Sequence, residues 1–228
     1  MSSKSPADLS LVVYGSTGRM GQQVLQVAKD LKPSFKKLHG VRRMKDFSES
    51  GDVVIDFSLP QAQADLVQYC RDHQVPLVSG TTGLEKKEME NLKALSKLVP
   101  VLWAPNMSLG VMVVTRMLKE FKILSDWNYS LFETHHVHKK DKPSGTALRL
   151  KEALEMAVGH EVPKVTAFRE GEVIGDHKVF AQGEFEEISL EHKATDRRVF
   201  AQGSIQAALW LVDQSPGFYS LEDMAITT

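Results

Sequence analysis

The chain has 228 residues, of which 42% are hydrophobic and 25% charged, with a formal net charge of -1. This is the composition of an ordinary globular protein with one large or two small domains, and its near-neutral charge argues against a polynucleotide partner. The sequence predicts no leader segment and no apolar stretch long enough to cross a bilayer, so we expect a cytoplasmic protein without membrane partners.

The first hundred residues alternate short apolar runs with amphipathic segments, as the strands and crossover helices of a parallel sheet do. Strands are expected at Leu11 to Tyr14 and in KKLHGV, DVVIDF, VPLVS and VPVLWA. Helices are expected from about Arg19 to Leu31, from about Gln61 to His73 and through EKKEMENLKALSK. Because these strands carry consecutive Val, Ile and Leu, both faces of the sheet should be covered, which predicts a doubly wound half. The single cysteine, Cys70, is interpreted as core packing.

The turn after the first strand reads GSTGRMG, with Gly15, Gly18 and Gly21 at regular spacing. Glycines let a tight turn bring backbone N–H groups against a pyrophosphate, and the N-terminus of the following helix adds partial positive charge. In this strand-to-helix context the spacing favours dinucleotide binding over a plain turn.

The second predicted strand ends in GVRRM, which carries Arg42 and Arg43 and no carboxylate until Asp46. A guanidinium group suits a 2′-phosphate, so the sequence favours NADPH over NADH, with two solvated arginines as the alternative. Two more turns, SGTTG and APNMS, follow later strands at the ends where open sheets bind ligands. Either turn could instead cap a helix through Thr82 or Ser108.

The second half of the chain has a different pattern. SLGVMVVTRMLKEFKIL predicts one helix, and DWNYSLFETH predicts a strand with one solvated face. Between Val165 and His192 several strand-like runs lack a crossover helix, which indicates an antiparallel or mixed sheet. VFAQG occurs at 179 to 183 and at 199 to 203, interpreted as coincidence or as two similar strand ends. SIQAALWLVD predicts a final helix, and the chain is expected to cross between domains near Asn106 and Arg198.

Residues 133 to 148 read ETHHVHKKDKPSGTAL. Ser144 is predicted to cap a helix, so the backbone N–H groups of Gly145 and Thr146 form a binding place for a carboxylate. The preceding histidines and lysines supply proton donors and positive charge, which indicates a small anionic substrate and a coupled proton transfer. A metal site in HHVH and a solvated basic loop are the alternatives, and the neighbouring lysines disfavour the metal.

Together these motifs resemble the 4-hydroxy-tetrahydrodipicolinate reductase (dihydrodipicolinate reductase) family. The resemblance rests on GSTGRMG, DFS at 56 to 58, SGTTG, PNMSLGV, ETHHVHKKDKPSGTA, REGEVIGDH and EHKATDRRVFAQGSIQAALWL, and it covers nearly the whole chain. It implies a Rossmann-type doubly wound parallel domain at 1–107 with 198–228. It also implies an α+β substrate-binding and oligomerisation domain at 108–197, with a mixed or antiparallel sheet.

The resemblance implies reduction of 4-hydroxy-tetrahydrodipicolinate to tetrahydrodipicolinate by NADPH or NADH, in diaminopimelate and lysine biosynthesis, by a homotetramer that associates through the substrate-domain sheet. It also implies roles for residues. His135 would be the proton donor, Lys139 a second donor or an orienting cation, and His136 a substrate contact, while Gly145 and Thr146 would bind a substrate carboxylate. No metal is expected. The residues implied to line the cofactor, with the two arginines inferred above, are Gly15, Ser16, Thr17, Gly18, Arg19, Met20, Arg42, Arg43, Gly80, Thr81, Thr82, Ala104, Pro105, Asn106 and Met107.

Two departures from the family pattern stand out. The segment from Met44 to Gly51 is shorter than in many relatives, and the acidic residue that often precedes the arginine is missing, which favours NADPH. Met107 stands where an aromatic residue is frequent in the family, which weakens any argument from stacking on the cofactor at this position.

Overall fold

The computed structural model describes residues 5–225. They divide into two compact units. The first runs up to Met107 and resumes at Arg198, and the second consists of Ser108–Arg197.

The first unit contains a six-stranded sheet in which every pair of neighbours is parallel. The strand order is β10-β5-β4-β3-β1-β2, so β1 lies between β2 on one side and β3 on the other. Ligands of open α/β sheets bind at the carboxyl ends of the strands where the order reverses in this way. The strands are β1 Ser10–Tyr14, β2 Lys37–Val41, β3 Val53–Asp56, β4 Leu77–Ser79, β5 Pro100–Trp103 and β10 Gly217–Tyr219.

Helices cover both faces of this sheet, which is why its central strands are apolar at consecutive positions. Helices α2 and α3 contact each other and close a core that includes Val12, Val54, Leu66, Leu92 and Val101. Helices α1 and α6 pack together, and α6 contacts β3, β4 and β5. The helices are α1 Arg19–Asp30, α2 Gln63–His73, α3 Lys86–Leu95 and α6 Arg198–Leu211. The predicted doubly wound fold is confirmed.

Several boundaries in this unit differ from the predictions for local reasons. Helix α2 begins at Gln63 because a 3-10 turn occupies Pro60–Ala62. Helix α3 is capped by Glu85 in a capping box with Glu88, so Thr82 is not its cap. Helix α6 begins six residues before the predicted SIQAALWLVD, and β10 was not predicted. The expected core position of Cys70 is confirmed, since its residue is 0% exposed.

The second unit contains a four-stranded mixed sheet of order β7-β6-β8-β9. Strands β6 and β7 are parallel, whereas β6–β8 and β8–β9 are antiparallel. One face carries the alternate residues Tyr129, Leu131 and Val179, which form a core with Leu150 and Leu154 of α5. The elements are α4 Leu109–Leu118, β6 Asn128–His135, α5 Gly145–Val158, β7 Thr166–Arg169, β8 Asp176–Gln182 and β9 Glu187–Lys193.

Two predictions for the second half require correction. The predicted single helix ends at Leu118 and continues as a 3-10 segment at Lys119–Leu124. The first copy of VFAQG lies at the end of β8, but the second lies inside α6, so the two copies are not similar strand ends. Tertiary contacts override intrinsic propensity in so short a segment.

The predicted cap at Ser108 is present, because its hydroxyl accepts a hydrogen bond from Val111 N–H at 3.3 Å. Across residues 5–225 we found no helix with the length and apolar character that a membrane span requires.

Candidate active site

The glycine turn follows β1 and needs glycine at two positions. Gly15 has a φ of 77°, and a Cβ there would lie 2.5 Å from the Phe57 carbonyl oxygen. A Cβ on Gly21 would lie 2.3 Å from the Gly15 oxygen, because helix α1 packs directly on the turn. Gly18 is the N-cap of α1 and has no side chain that could bond the first-turn N–H groups. The turn therefore fits a phosphate at this helix start.

The arginines predicted to select the cofactor directly follow β2. The Val41 carbonyl accepts hydrogen bonds from the N–H groups of Gly15 and Ser16 at 3.1 and 3.2 Å, which ties the end of β2 to the glycine turn. Arg42 and Arg43 come next in the chain and are exposed. Arg43 Nε lies 2.5 Å from an Asp46 carboxylate oxygen. The structure thus places both guanidinium groups on the chain segment that adjoins the turn.

Asp56 organises the next predicted cofactor turn. This residue ends β3 with 0% exposure, and its Oδ2 accepts hydrogen bonds from the hydroxyls of Ser79 and Thr81 at 2.7 and 2.8 Å. Burial raises the pKa of the carboxyl group above its usual range, while hydrogen bonds from Ser58, Ser79 and Thr81 oppose that shift. The carboxyl ends of β3 and β4 are therefore held together.

Phe57 lies between this turn and the glycine turn. A Cβ on Gly80 would lie 2.3 Å from the Phe57 ring, and one on Gly15 would lie 2.5 Å from its carbonyl oxygen. Ala104 N–H donates to the Ser79 carbonyl at 3.1 Å, which adds the end of β5 to the group. The predicted cofactor residues of 15–20, 80–82 and 104–107 therefore lie at the carboxyl ends of β1, β4 and β5.

In the second unit, the run predicted to bind substrate joins β6 to α5. Ser144 caps α5, because its hydroxyl accepts a hydrogen bond from Ala147 N–H at 3.1 Å. A Cβ on Gly145 would have no heavy atom within 4 Å, so a ligand can approach the backbone there. Lys139 Nζ lies 2.8 Å from Asp141 Oδ1. Burial raises the pKa of Asp141, but hydrogen bonds from Lys139 and the Gly145 backbone lower it overall. The helix start and the ammonium group thus already stabilise a carboxylate.

A buried carboxylate and a buried imidazole lie close together at the end of β6. Glu133 and His135 point to the same face of the sheet, with side chains 0% and 8% exposed. Glu133 Oε1 accepts hydrogen bonds from Ser144 N–H at 3.0 Å and from Arg169 at 3.1 Å. Glu133 Oε2 lies 2.9 Å from His135 Nδ1, although the two atoms are not aligned as a hydrogen bond. Glu133 therefore connects the start of α5, strand β7 and the predicted proton donor.

Two further histidines extend this group across the sheet. His177 faces Glu133 in the β6–β8 register, and His192 faces His177 in the β8–β9 register. The rings of His135 and His177 meet edge to face with centroids 5.2 Å apart. His177 Nε2 lies 3.4 Å from the Ser144 hydroxyl. Burial and, to a smaller extent, the neighbouring His135 lower the pKa of His177 to about 4, so His177 is neutral near pH 7.

The structure brings together only some of the predicted substrate residues as one buried cluster. His135 is inside it, where burial lowers the pKa of the imidazole and the nearby Lys139 lowers it further. His136 lies just beyond the end of β6, half-buried, with its ring centroid 6.1 Å from that of His138. Arg169 and Glu133 were not singled out from the sequence, and neither were His177 and His192. Glu133 stands in the same motif, but the others become neighbours only through strand pairing.

Within the described residues, Glu133, His135 and His177 place potential ligand atoms within 4.8 Å of one another. A guanidinium group already contacts Glu133 Oε1, and the Lys139 ammonium is close to His135. These fixed positive charges oppose a bound cation. We therefore interpret the trio as an acid–base network, and the absence of a metal stays a prediction.

Comparisons with known proteins give the same family for both units. Residues 31–107 match the family described as dihydrodipicolinate reductase, N-terminus, and residues 110–225 match the corresponding C-terminus family. A protein of Bdellovibrio bacteriovorus named 4-hydroxy-tetrahydrodipicolinate reductase is 43% identical, over 95% of this chain and 96% of its own length. A protein of the same name from Xylella fastidiosa is 39% identical, over 95% and 98%.

Solved structures agree at the level of the fold. Dihydrodipicolinate reductase from Paenisporosarcina sp. TG-14, with dipicolinate bound, has a TM-score of 0.77 at 18% identity, over 95% of this chain and 99% of its own. Aspartate semialdehyde dehydrogenase II from Vibrio cholerae has a TM-score of 0.58 at 10% identity, over 91% and 100%. At these identities the likeness concerns the arrangement of elements alone.

Replacing Asp56 with Asn should loosen the turn at 79–82. Asn keeps the size of the side chain but removes an oxygen that accepts hydrogen bonds from two hydroxyls. The loss should lower the unfolding free energy by about 1–3 kcal/mol. We expect the dissociation constant for NADPH to rise about tenfold, which corresponds to about 1.4 kcal/mol. NADPH fluorescence titration and urea unfolding measure both quantities.

Asp52→Asn is the matched control, because Asp52 Oδ2 accepts from Ser10 N–H at 2.7 Å just before β3 begins, at the opposite end of the sheet. It should lose stability and keep NADPH affinity. Equal loss of affinity in both variants would contradict a local role for Asp56.

His177 should make folding stability sensitive to acid. The unfolded chain protonates this residue near its ordinary pKa of 6.5, whereas the folded protein resists protonation down to about 4. Stability should therefore fall as the pH drops from about 6.5 to about 4, because the unfolded state binds the extra proton. In His177→Gln the slope of unfolding free energy against pH should be smaller by about one proton, whereas exposed His138→Gln should match the wild type. An unchanged slope in His177→Gln would refute this explanation.

Proposed function

The chain belongs to the dihydrodipicolinate reductase family, and from that premise we propose which of its residues bind cofactor and substrate and which deliver the proton. It is an oxidoreductase that reduces 4-hydroxy-tetrahydrodipicolinate to tetrahydrodipicolinate with a nicotinamide cofactor, in diaminopimelate and lysine biosynthesis.

The first unit is proposed to bind the cofactor, which supplies a hydride when bound. The turn at Gly15 to Met20 would hold the pyrophosphate, because Gly15 and Gly21 allow the tight turn and the close packing of α1 on it, and α1 contributes its N-terminus. The turns at 80–82 and 104–107 would line the nicotinamide half. Arg42 and Arg43 would pair with a 2′-phosphate, so we propose NADPH as the preferred cofactor.

The second unit is proposed to bind a substrate carboxylate at the start of α5. The observation that carries this assignment is the Asp141 carboxylate, which Lys139 contacts at 2.8 Å and which the Gly145 backbone also stabilises. A site that stabilises one carboxylate has the charge and donors to bind another. The substrate carboxylate would then accept from the N–H groups of Gly145 and Thr146, with His136 as a further contact.

His135 is proposed to donate the proton that accompanies reduction. Its Nδ1 faces Glu133, so Nε2 is the nitrogen that delivers the proton. Nε2 lies beside Gly175, where a Cβ would stand only 2.9 Å away, and the small residue leaves room for the ring. Lys139 would orient the substrate and serve as a second donor. A positioned acid of this kind contributes a factor of about 10² to 10⁴ in rate.

The Vibrio cholerae structure is named as a semialdehyde dehydrogenase, and Cys70 does not support that chemistry in this chain. An activated thiol needs a lowered pKa and access to the substrate. Cys70 lies in the core of the first unit, and burial raises the pKa of its thiol. A thiol in that state is inert.

Tetrameric assembly and a cytoplasmic location stay predictions. The face of the second sheet opposite its core carries Phe132 and Phe180, whose ring centroids are 5.9 Å apart, with Lys178 Nζ 4.1 Å from the Phe180 ring centre. These partly exposed rings on one sheet face support the proposal that copies of the chain associate there.

The proposed function is tested by following NADPH absorbance with freshly generated 4-hydroxy-tetrahydrodipicolinate. Wild-type protein should consume NADPH only when this substrate is present. His135→Ala should lower kcat by about 10² to 10⁴ while NADPH binding is unchanged. Lys139→Ala should lower kcat and also raise KM for the substrate, because a cation is lost from an anion site. His138→Ala and Lys140→Ala, both exposed in the same loop, serve as matched controls. Full turnover by His135→Ala would overturn its assignment as the donor.

Cofactor preference is tested by the double variant Arg42→Ala, Arg43→Ala. Loss of charge-assisted bonds to a 2′-phosphate should lower kcat/KM for NADPH about 10- to 100-fold, and kcat/KM for NADH should change less than threefold. Lys45→Ala, an exposed cation in the same segment, should leave both values near those of the wild type. Equal losses with both cofactors would contradict a 2′-phosphate contact.

A further inference from the structure

We propose that Glu133 is a positioning residue for the reduction, whose buried carboxylate fixes the orientation of His135 and stabilises the protonated form from which it donates. This inference rests on the proposed role of His135. Glu133 itself is not assigned a contact with substrate or cofactor.

The geometry makes Glu133 the closest anion to the imidazole. Its Oε2 lies 2.9 Å from His135 Nδ1 inside the unit, where the low dielectric strengthens the attraction between opposite charges. The contact is not aligned as a hydrogen bond in the protein without substrate, and catalytic hydrogen bonds often align only once substrate binds. An imidazole whose Nδ1 proton faces a carboxylate presents Nε2 as the donating nitrogen.

The other groups around His135 make this anion necessary. Burial of the ring lowers the pKa of His135, and the neighbouring charges of Lys139 and Arg169 lower it further. Glu133 and, more weakly, Asp141 act in the opposite direction. His177 packs edge to face on the ring and is neutral near pH 7, so it adds neither charge. The pKa of His135 is below its ordinary value overall, because burial outweighs Glu133, and without Glu133 it would be lower still.

Glu133 is itself held in the ionised form. Burial raises its pKa, but hydrogen bonds from Ser144, the charge of protonated His135 and a hydrogen bond from Arg169 lower it overall. The Ser144 N–H and the Arg169 guanidinium both donate to Oε1, which leaves Oε2 directed at His135. The same two bonds fix the carboxylate in space, so His135 is held relative to the start of α5.

The test is Glu133→Gln, which keeps the size of the side chain and a carbonyl oxygen for Ser144 and Arg169 but removes the charge. A general acid is active when protonated, so the rate falls as the pH rises through its pKa. Removal of the anion lowers that pKa, so the pH at which kcat begins to fall should be lower than in the wild type by about one unit. At pH values above the pKa of the acid, kcat should be about tenfold lower than in the wild type, while KM for the substrate changes less than threefold.

Glu172→Gln is the matched control, because it removes an exposed carboxylate 3.9 Å from His138 in the same unit. Its pH profile should coincide with that of the wild type. A Glu133→Gln profile that is parallel to the wild type at every pH, lowered by a constant factor or not, would overturn the proposal. The His135→Ala assay tests the proton donor by itself. A failed prediction for Glu133 can therefore be told apart from a wrong assignment of the donor.

A second measurement does not require the variant to fold. In wild-type protein with ¹⁵N-labelled histidine, the neutral His135 ring should carry its proton on Nδ1, facing Glu133. Where Glu133→Gln does fold, the His135 pKa read from the same spectra should be lower than in the wild type. A neutral ring protonated on Nε2, or an equal pKa in both proteins, would contradict the inference.

Discussion

A single buried carboxylate, that of Glu133, joins the parts of the second unit on which the chemistry depends. It accepts hydrogen bonds from Ser144 at the start of α5 and from Arg169 on β7, and it faces His135 on its own strand. An isolated buried charge is strongly unfavourable, so these partners must be present together for the carboxylate to remain ionised. The amides proposed to bind the substrate and the imidazole proposed to protonate it are therefore fixed by the same side chain.

The first unit is organised on a similar principle. Asp56 is buried where β3 ends and accepts from hydroxyls on the following turn, which sets the shape of the proposed nicotinamide site. In both units an acidic residue near the carboxyl end of a strand accepts hydrogen bonds from a neighbouring segment. The amides and glycines proposed to bind ligands can then lie at the surface of their loops, because the buried carboxylate accepts the hydrogen bonds that keep those loops ordered.

The features that could be predicted from the sequence are those that local chemistry determines. The glycine turn, the parallel strands and the cap at Ser144 each depend on residues close together in the chain. Glu133 lies within the recognised motif, yet only its burial identifies what it does. His177, His192 and Arg169 carry no local signal, since they reach the cluster through pairing of β6 with β7 and β8 and of β8 with β9. The two VFAQG segments show the same limit, because one is a strand and the other a helix.

A crystal structure of the protein with dipicolinate, the ligand bound in the Paenisporosarcina structure, tests these assignments most directly. One carboxylate of dipicolinate should accept hydrogen bonds from the N–H groups of Gly145 and Thr146 and replace Asp141 beside Lys139. His135 should present Nε2 to the ring while Nδ1 still faces Glu133. Dipicolinate bound away from α5, with Lys139 still paired to Asp141 and His135 turned from the ligand, would contradict the account.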